Sequence, residues 1–429
     1  MASQLPNPGR MKILLLSQWY LPEPQKIMGE LAQSLQAAGH DVTVVTGFPN
    51  WPIGKLYPGY RIRICQRETI DGIKVIRLPL CPNHSKSAFK RALNLGSFVV
   101  SLLLLGPVFV PKPDVIHLLQ PITAGFPAWM LSRLWRVPLT MEIHDLWPET
   151  LEATGLVKNT HLLKFLAVFA GWVYGRTVAI RVISEGFRTS LVNKGVATDK
   201  IKVISNWVDT QFYRPLGLEA TGSSRPELEG RFNVVFAGAI GPAQGLDTIL
   251  DAAERLRDIP NVQFIIAGEG VDRDRLSSDA QRRGLPNVRF LGWVDEGNMP
   301  ALFAQAEVLL LQLRDEPLFR ITIPHKLFVY MASGRAILAA VEGDAAEVVR
   351  RTGSGITCRP GEPGALADAI RLLVAMSPED RNAYGTRGRE AVCHSYSQVQ
   401  LTGQIEAMLK NAVKDYRETS YPNSTRFEC

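Results

Sequence analysis

Two short stretches carry the residue types best suited to holding a phosphate. In residues 318–340, LFRITIPHKLFVYMASGRAILAA, Pro324 suits a first helical position, since its φ is already helical and its missing N–H is not needed there. Leu327, Phe328, Met331 and Ala332 recur at helical spacing, Gly334 sits where a left-handed cap would end the helix, and residues 336–341 read as a buried strand. A helix N-terminus aims unpaired N–H groups outward, and Lys326 adds a full positive charge in the first turn, a combination that favours a phosphate. The plain alternative is a core helix with an exposed lysine. The second stretch, Gly238-Ala-Ile-Gly241-Pro-Ala-Gln244-Gly245, separates a strand from a helix and offers further backbone donors. A third group differs in kind: Glu142, His144 and Asp145 close an apolar strand. A carboxylate there could take up or orient the proton of a hydroxyl, with Asp145 the first choice. For a lone histidine such as His144, a packed or surface imidazole is the commoner fate.

The elements that must position these groups follow a regular order. Residues 11–20 make a strand, residues 27–38 a helix with Ile27, Leu31 and Leu35 on one face, and Asp41–Thr46 the next strand. Near-continuous apolar strands alternating with helices argue for parallel sheets covered on both faces. Further strands are expected at 74–78, 114–119, 139–143, 179–183 and 202–204. The pattern then restarts with a strand at 232–238, a helix from Leu246 and a strand at 261–267 that answers 41–46. Residues 306–311 likewise answer 114–119. The economical reading is α/β: two tandem doubly wound, Rossmann-like domains facing a cleft, with ligands outside the carboxyl ends of the strands. The expected division is a loose arm at 1–10, a first domain at 11–214, a linker at 215–230 rich in Pro, Gly and Ser, a second domain at 231–395, a helix at 396–416 that could pack back on the first domain, and a disordered tail at 417–429.

Bulk composition fits this picture. The chain has 429 residues, 46% of them hydrophobic and 21% charged, with a net charge of +7. Scattered basic residues allow an anionic small molecule or lipid headgroups without calling for nucleic acid. Five widely spaced cysteines with no C-x-x-C pair disfavour a disulfide framework or zinc site and fit a reducing cytoplasm. The most hydrophobic segment, residues 98–110, is about a dozen residues long and interrupted by Pro107, whereas a bilayer span takes roughly 20. With Lys86, Lys90 and Arg91 ahead of it, it reads as a buried helix or as one lying in a membrane face beside anionic headgroups.

An ordered set of motifs resembles a family. It runs through Gly39-His-Asp-Val-Thr-Val-Val-Thr46, Gly47-Phe-Pro-Asn-Trp-Pro52, Tyr57-Pro-Gly-Tyr60, Asp145-Leu-Trp-Pro-Glu149, Ile204-Ser-Asn-Trp-Val-Asp209, Ala237–Gly245, Ala267-Gly-Glu-Gly270, Ile323-Pro-His-Lys326 and Gly343-Asp-Ala-Ala-Glu347. From Met11 to about Leu409 the chain resembles a GT-B glycosyltransferase of family 4, and within it the WbuB-like branch of bacterial surface-polysaccharide enzymes. The resemblance implies transfer of a sugar from a nucleotide diphosphate, usually UDP, to a sugar or lipid-linked hydroxyl acceptor, usually with retention. It implies no cofactor and no metal; the cysteine pattern adds the expectation of a cytoplasmic enzyme, peripheral to the inner membrane face if the basic segment binds lipid. It also implies that backbone near Trp293 and Val294 holds the base, with the Gly268-Glu-Gly270 turn nearby. Glu347 is then the best remaining carboxylate for ribose or sugar hydroxyls. Asn206 and Asp209 match a turn at the end of the first domain.

The chain departs from the family at telling places. The two glutamates that such enzymes carry eight positions apart, facing donor sugar and ribose, fall at Ile321 and Val329. Gln244 stands where the glycine loop commonly has a basic residue. A catalytically degenerate subunit that binds nucleotide or scaffolds polysaccharide assembly is therefore the alternative to an enzyme. A nucleotide-sugar epimerase, which shares the two-domain fold, is disfavoured by the Asp145 and Ile323 motifs.

Overall fold

The computed structural model describes residues 9–83, 87–153, 157, 159–217 and 228–420. Apolar runs become fully buried parallel strands. The first sheet contains β1 (Lys12–Ser17), β2 (Asp41–Gly47), β3 (Gln66–Ile70), β4 (Ile73–Leu78), β5 (Val115–Gln120), β6 (Leu139–Ile143), β7 (Ala179–Val182) and β8 (Ile201–Val203). Their spatial order is β3-β4-β2-β1-β5-β6-β7-β8, parallel except for the β3–β4 pair. The second sheet contains β9 (Phe232–Ala237), β10 (Val262–Ala267), β11 (Val288–Gly292), β12 (Val308–Gln312), β13 (Ala336–Ala340) and β14 (Gly355–Cys358). It is parallel throughout, in the order β11-β10-β9-β12-β13-β14. The expected α/β class with two doubly wound sheets is what the chain forms. The expected internal correspondence holds as topology: β2-β1-β5-β6 in one sheet and β10-β9-β12-β13 in the other share one order.

The chain forms two compact units. One comprises residues up to Val182, Arg188–Ile204 and from Thr402 onward; the other comprises Ile183–Phe187 and Ser205–Leu401. The long Gln398–Ser420 helix joins the first unit through its later residues. There His40 Nε2 lies 3.0 Å from Glu406, and Arg417 donates to Asp114 at 3.3 Å. Helix therefore extends past 417, where a disordered tail was expected; residues 421–429, like the arm at 1–8 and linker residues 218–227, lie outside the described residues.

Three strands escaped the periodicity reading, and all are at sheet edges. β3 (QRETI) is polar and half-exposed, β11 (VRFLG) is mostly half-buried, and no residue of β14 is fully buried. One helix is corrected more sharply. The segment expected at residues 98–110 is the second half of a 22-residue helix, Ala88–Phe109, which accommodates Pro107 in its last turn. Among the described residues it is the one helix long and apolar enough to cross a membrane, and only 22% of its apolar window is buried. The hydropathy of its first half is diluted by Lys90, Arg91, Asn94 and Ser97; Lys and Arg are good helix formers that do not read as apolar, and Asn94 is held by tertiary hydrogen bonds.

Candidate active site

The glycine turns expected to face a phosphate lie at the carboxyl ends of β9, β10 and β11, within one unit. The helix carrying Lys326 spans His325–Ala332, eight residues, and Pro324 is its extended N-cap (φ −64°, ψ 136°) rather than its first helical residue. Proline fixes φ in either role, but its ψ here is that of the residue entering the helix. Tyr330, fully buried one face away, ties this helix to the end of β9. Its hydroxyl donates to Ala237 O at 3.1 Å and accepts from Ala237 N at 2.9 Å. Burial pushes its pKa up, so the phenol stays a neutral donor.

That tie brings Lys326 over Gly238. The lysine is not the surface residue of the plain alternative. Its stem is half-buried, and its Nζ is shielded from solvent with no hydrogen-bond partner among the described residues. The nearest compensation is the Phe236 ring, whose centroid lies 4.2 Å away. Burial lowers its pKa to about 8. An ammonium held this way is a cationic well that an incoming anion would relieve.

The glycine loops explain how backbone gets close enough to form the rest of the site. At Gly238, φ is +141°, and an added Cβ would fall 2.6 Å from Lys326 Nζ. At Gly268 an added Cβ would sit 1.9 Å from Gly238 O. Only glycine fits either place. The loops are zipped by Gly238 N to Ala267 O (2.9 Å), Ile240 N to Glu269 O (2.9 Å) and Gly268 N to Gly292 O (2.7 Å). Gly241 N donates to Gln244 Oε1 at 3.2 Å, so Gln244 braces the loop, and Gln312 donates to Gly245 O at 2.6 Å. Gly270 completes the second turn, with an added Cβ 2.1 Å from Ile240 O. Beyond Gly292 the chain presents Trp293, 73% exposed with its indole N–H on Asp295 (3.2 Å), while Val294 is buried.

Glu347 stands apart from this group. It is exposed in the Asp344–Thr352 helix and ion-pairs with Arg350 at 3.1 Å. No described contact joins it to Lys326 or the glycine loops. Asp344 instead accepts from Gly186 N at 2.8 Å. At the two departures from the family, Val329 is buried and the half-buried Ile321 uses its carbonyl to accept Ser184 Oγ at 2.6 Å. Asn206 and Asp209 belong to a structural turn: Asn206 is buried, and Asp209 Oδ1 accepts from Gln211 N and Phe212 N.

The acid–base candidates lie in the other unit, at the end of β6. Glu142 is buried, 1% exposed, and its carboxylate is held by neighbouring cationic and imidazole groups. Its carboxylate lies 2.6 Å from Arg181 Nη1 and 3.3 Å from His117 Nε2, and it also bonds His144. Burial by itself would raise its pKa, but Arg181 and His144 more than offset that and hold it well below the usual carboxylate range. Register produces the cluster, since Glu142 pairs with Arg181 across β6–β7. His117 and Arg181 were missed as site residues. Their signal was a polar residue in the middle of an apolar strand, which has to find a buried partner.

His144 and Asp145, just past the strand, do reach a surface. With Glu142 they line a small cavity of about 110 Å³, together with Trp19, Gln120, Trp147 and Tyr174. Burial raises the carboxyl pKa of Asp145, and His144 partly counters the rise. Glu142 thus fixes the His144 ring, and Asp145 keeps the exposed carboxylate.

Residues 24–207 match the family model described as Glycosyl transferase 4-like domain, and residues 223–391 match Glycosyl transferases group 1. The chain is 30% identical over 348 residues to the putative colanic acid biosynthesis glycosyl transferase WcaI of Escherichia coli K12, covering 77% of this chain and 83% of that one. It is 26% identical over 397 residues to glycogen synthase of Mycobacterium tuberculosis, covering 89% of each. Among solved structures, sucrose-phosphate synthase from Thermosynechococcus elongatus superposes with a TM-score of 0.73 at 18% identity, over 94% of this chain and 99% of that one. Anabaena Alr3699/HepE, solved in complex with UDP, gives 0.69 at 18% identity, over 94% and 100%.

Proposed function

Because this chain belongs to family 4 of the GT-B glycosyltransferases, we propose that it moves a hexosyl or N-acetylhexosaminyl group from a UDP-sugar to a hydroxyl acceptor, with retention, in the synthesis of a bacterial surface polysaccharide or glycolipid. The observation that carries this reading is the Lys326 ammonium, shielded from solvent, without an anion partner, and set against two glycine turns. Departure of a nucleoside diphosphate concentrates charge on its leaving oxygens, and preorganised cations and N–H donors stabilise that charge. Lys326 and the 238–245 loop supply both kinds of group. WcaI, from a surface-polysaccharide system, supports the process, and the UDP held by HepE supports the choice of nucleotide.

On the acceptor side, Asp145 is the carboxylate proposed to orient or accept the hydroxyl proton, with His144 beside it and Glu142 as the buried brace. Ribose and sugar hydroxyls are met without the two family glutamates, since Ile321 and Val329 offer none.

The test is UDP binding by calorimetry, followed by UDP release from a panel of nucleotide sugars. Lys326→Ala should weaken UDP binding more than tenfold, about 1.4 kcal/mol. Unchanged affinity would remove Lys326 from the site. The substituted glutamate positions favour one second reading, a nucleotide-binding subunit without turnover. Binding of UDP with no release from any donor would select it.

A further inference from the structure

The Ala88–Phe109 helix is built inside out. Its inward side carries Asn94, which accepts from Gln18 Nε2 at 2.7 Å and donates to Asn50 Oδ1 at 3.2 Å, beside buried Phe98 and Leu102. Its outward side carries Phe89, Leu93, Val100, Leu104 and Val108, all at helical spacing and all exposed, Leu104 at 68% and Val108 at 71%. A surface helix of a soluble protein shows the reverse.

Two neighbouring helices of the same unit continue the face. The Gly125–Trp135 helix exposes Phe126 and Leu134, and the Thr160–Arg176 helix exposes Leu162, Phe165 and Val168. Between them lies an aromatic cluster: Trp129 meets Trp172 edge-on at 5.1 Å, and the Arg176 guanidinium lies 4.0 Å from the Trp172 ring centre. An almost wholly apolar groove of about 520 Å³, lined by Leu95, Val99, Phe126, Leu166 and Phe169, runs along these helices. Isolated apolar residues on a surface are ordinary; a contiguous run of this extent marks an interaction site.

Charge identifies the partner. The three helices carry Lys90, Arg91, Arg133, Lys164 and Arg176 and no aspartate or glutamate. Cations, tryptophans and exposed aliphatics on one face are the composition that binds the interface of an anionic bilayer. Lys86, part of the basic segment noted in the sequence, lies outside the described residues. Crossing a bilayer would strip Asn94 of its partners and expose the packed side at Phe98 and Leu102, so the geometry argues against a span.

We propose that this face docks the first unit onto an anionic lipid bilayer. The proposal stands independently of the donor site, which lies in the other unit. The experiment is co-sedimentation of the purified full-length chain with vesicles of phosphatidylglycerol in phosphatidylcholine, compared with phosphatidylcholine alone. The wild type should bind the anionic vesicles at least tenfold more tightly, and added salt should weaken the binding. The doubles Leu104→Asp/Phe165→Asp and Lys90→Glu/Lys164→Glu should each lose at least tenfold, while Leu372→Asp, an exposed apolar change on the other unit, should lose nothing. Thermal melting and UDP affinity, measured on every variant, should match the wild type and so exclude misfolding. Equal binding to neutral vesicles, absence of binding, or retention by both doubles would overturn the proposal. So would doubles that only convert a dimer to a monomer in sedimentation velocity, because the face would then join two copies of this chain.

Discussion

Lys326 and Glu142 are both buried charges, one in each unit, and they have been handled in opposite ways. Glu142 has three cationic or imidazole partners, and its charged form is favoured. Lys326 has an aromatic face and no anion, and its charged form is penalised. A satisfied buried charge holds structure together, whereas an unsatisfied one stores free energy that a ligand of opposite sign can release. The contrast is what sets the brace, Glu142, apart from the proposed binding group, Lys326.

The largest effect expected from breaking this contrast is at the brace. Glu142→Ala leaves Arg181 buried without its carboxylate and should cost about 3–5 kcal/mol, read as a lowered urea midpoint or as insoluble protein. Since the folded-state pKa of Glu142 is depressed, its stabilisation is complete above the ordinary carboxylate range and is lost as pH falls through the lowered value. Lys326→Ala should behave in the opposite way, weakening UDP binding while leaving the urea midpoint unchanged or raised. A lowered midpoint would mean that Lys326 is a brace too.

The same lysine gives the pH test. Its folded-state value is depressed to about 8, so the folded protein is penalised while the lysine stays protonated. Stability from this group rises as pH climbs from about 8 toward the ordinary lysine range. Affinity for UDP should decline over the same window, with proton uptake on binding visible as a buffer-dependent calorimetric enthalpy. Uniform affinity from pH 7 to 10 would contradict an unpaired ammonium.

The remaining carboxylates are separated by which quantity they change, turnover or affinity. Asp145→Asn should reduce turnover by roughly 10²-fold or more with UDP affinity unchanged. The acid limb of the wild-type rate profile should lie above that of an ordinary aspartate, following its raised pKa. Glu347→Ala should change UDP affinity by no more than about 0.5 kcal/mol, because its visible partner is Arg350 on the same helix. A larger loss would return it to the site.

Much of this molecule is written locally. Apolar runs bounded by glycine and proline placed β2, β5, β6, β9, β10, β12 and β13 within a residue or two, and β1 with an end three residues too long, because a strand buried on both faces needs little beyond continuous hydrophobicity. The edge strands β3, β11 and β14 were not legible, since their faces are only partly covered and their residues do not have to alternate or be apolar. Residue chemistry alone singled out Lys326 and the glycine loops, which the fold then brings together. Whether the lysine was a surface cation or a shielded one could not be read there, because that depends on Tyr330 gripping Ala237 and on Phe236 arriving beneath the ammonium.

Glu142, His144 and Asp145 show the same limit most plainly. They are three neighbouring residues with similar chemistry, and the sequence could only group them. Strand alternation turns Glu142 inward against Arg181 and His117 from adjacent strands, and the chain leaving β6 carries Asp145 out to the cavity. The sequence alone determined the two sheets, the family and the kinds of group present. Tertiary structure decided which charge is satisfied and which is not, because that follows from partners brought together over tens of residues of separation.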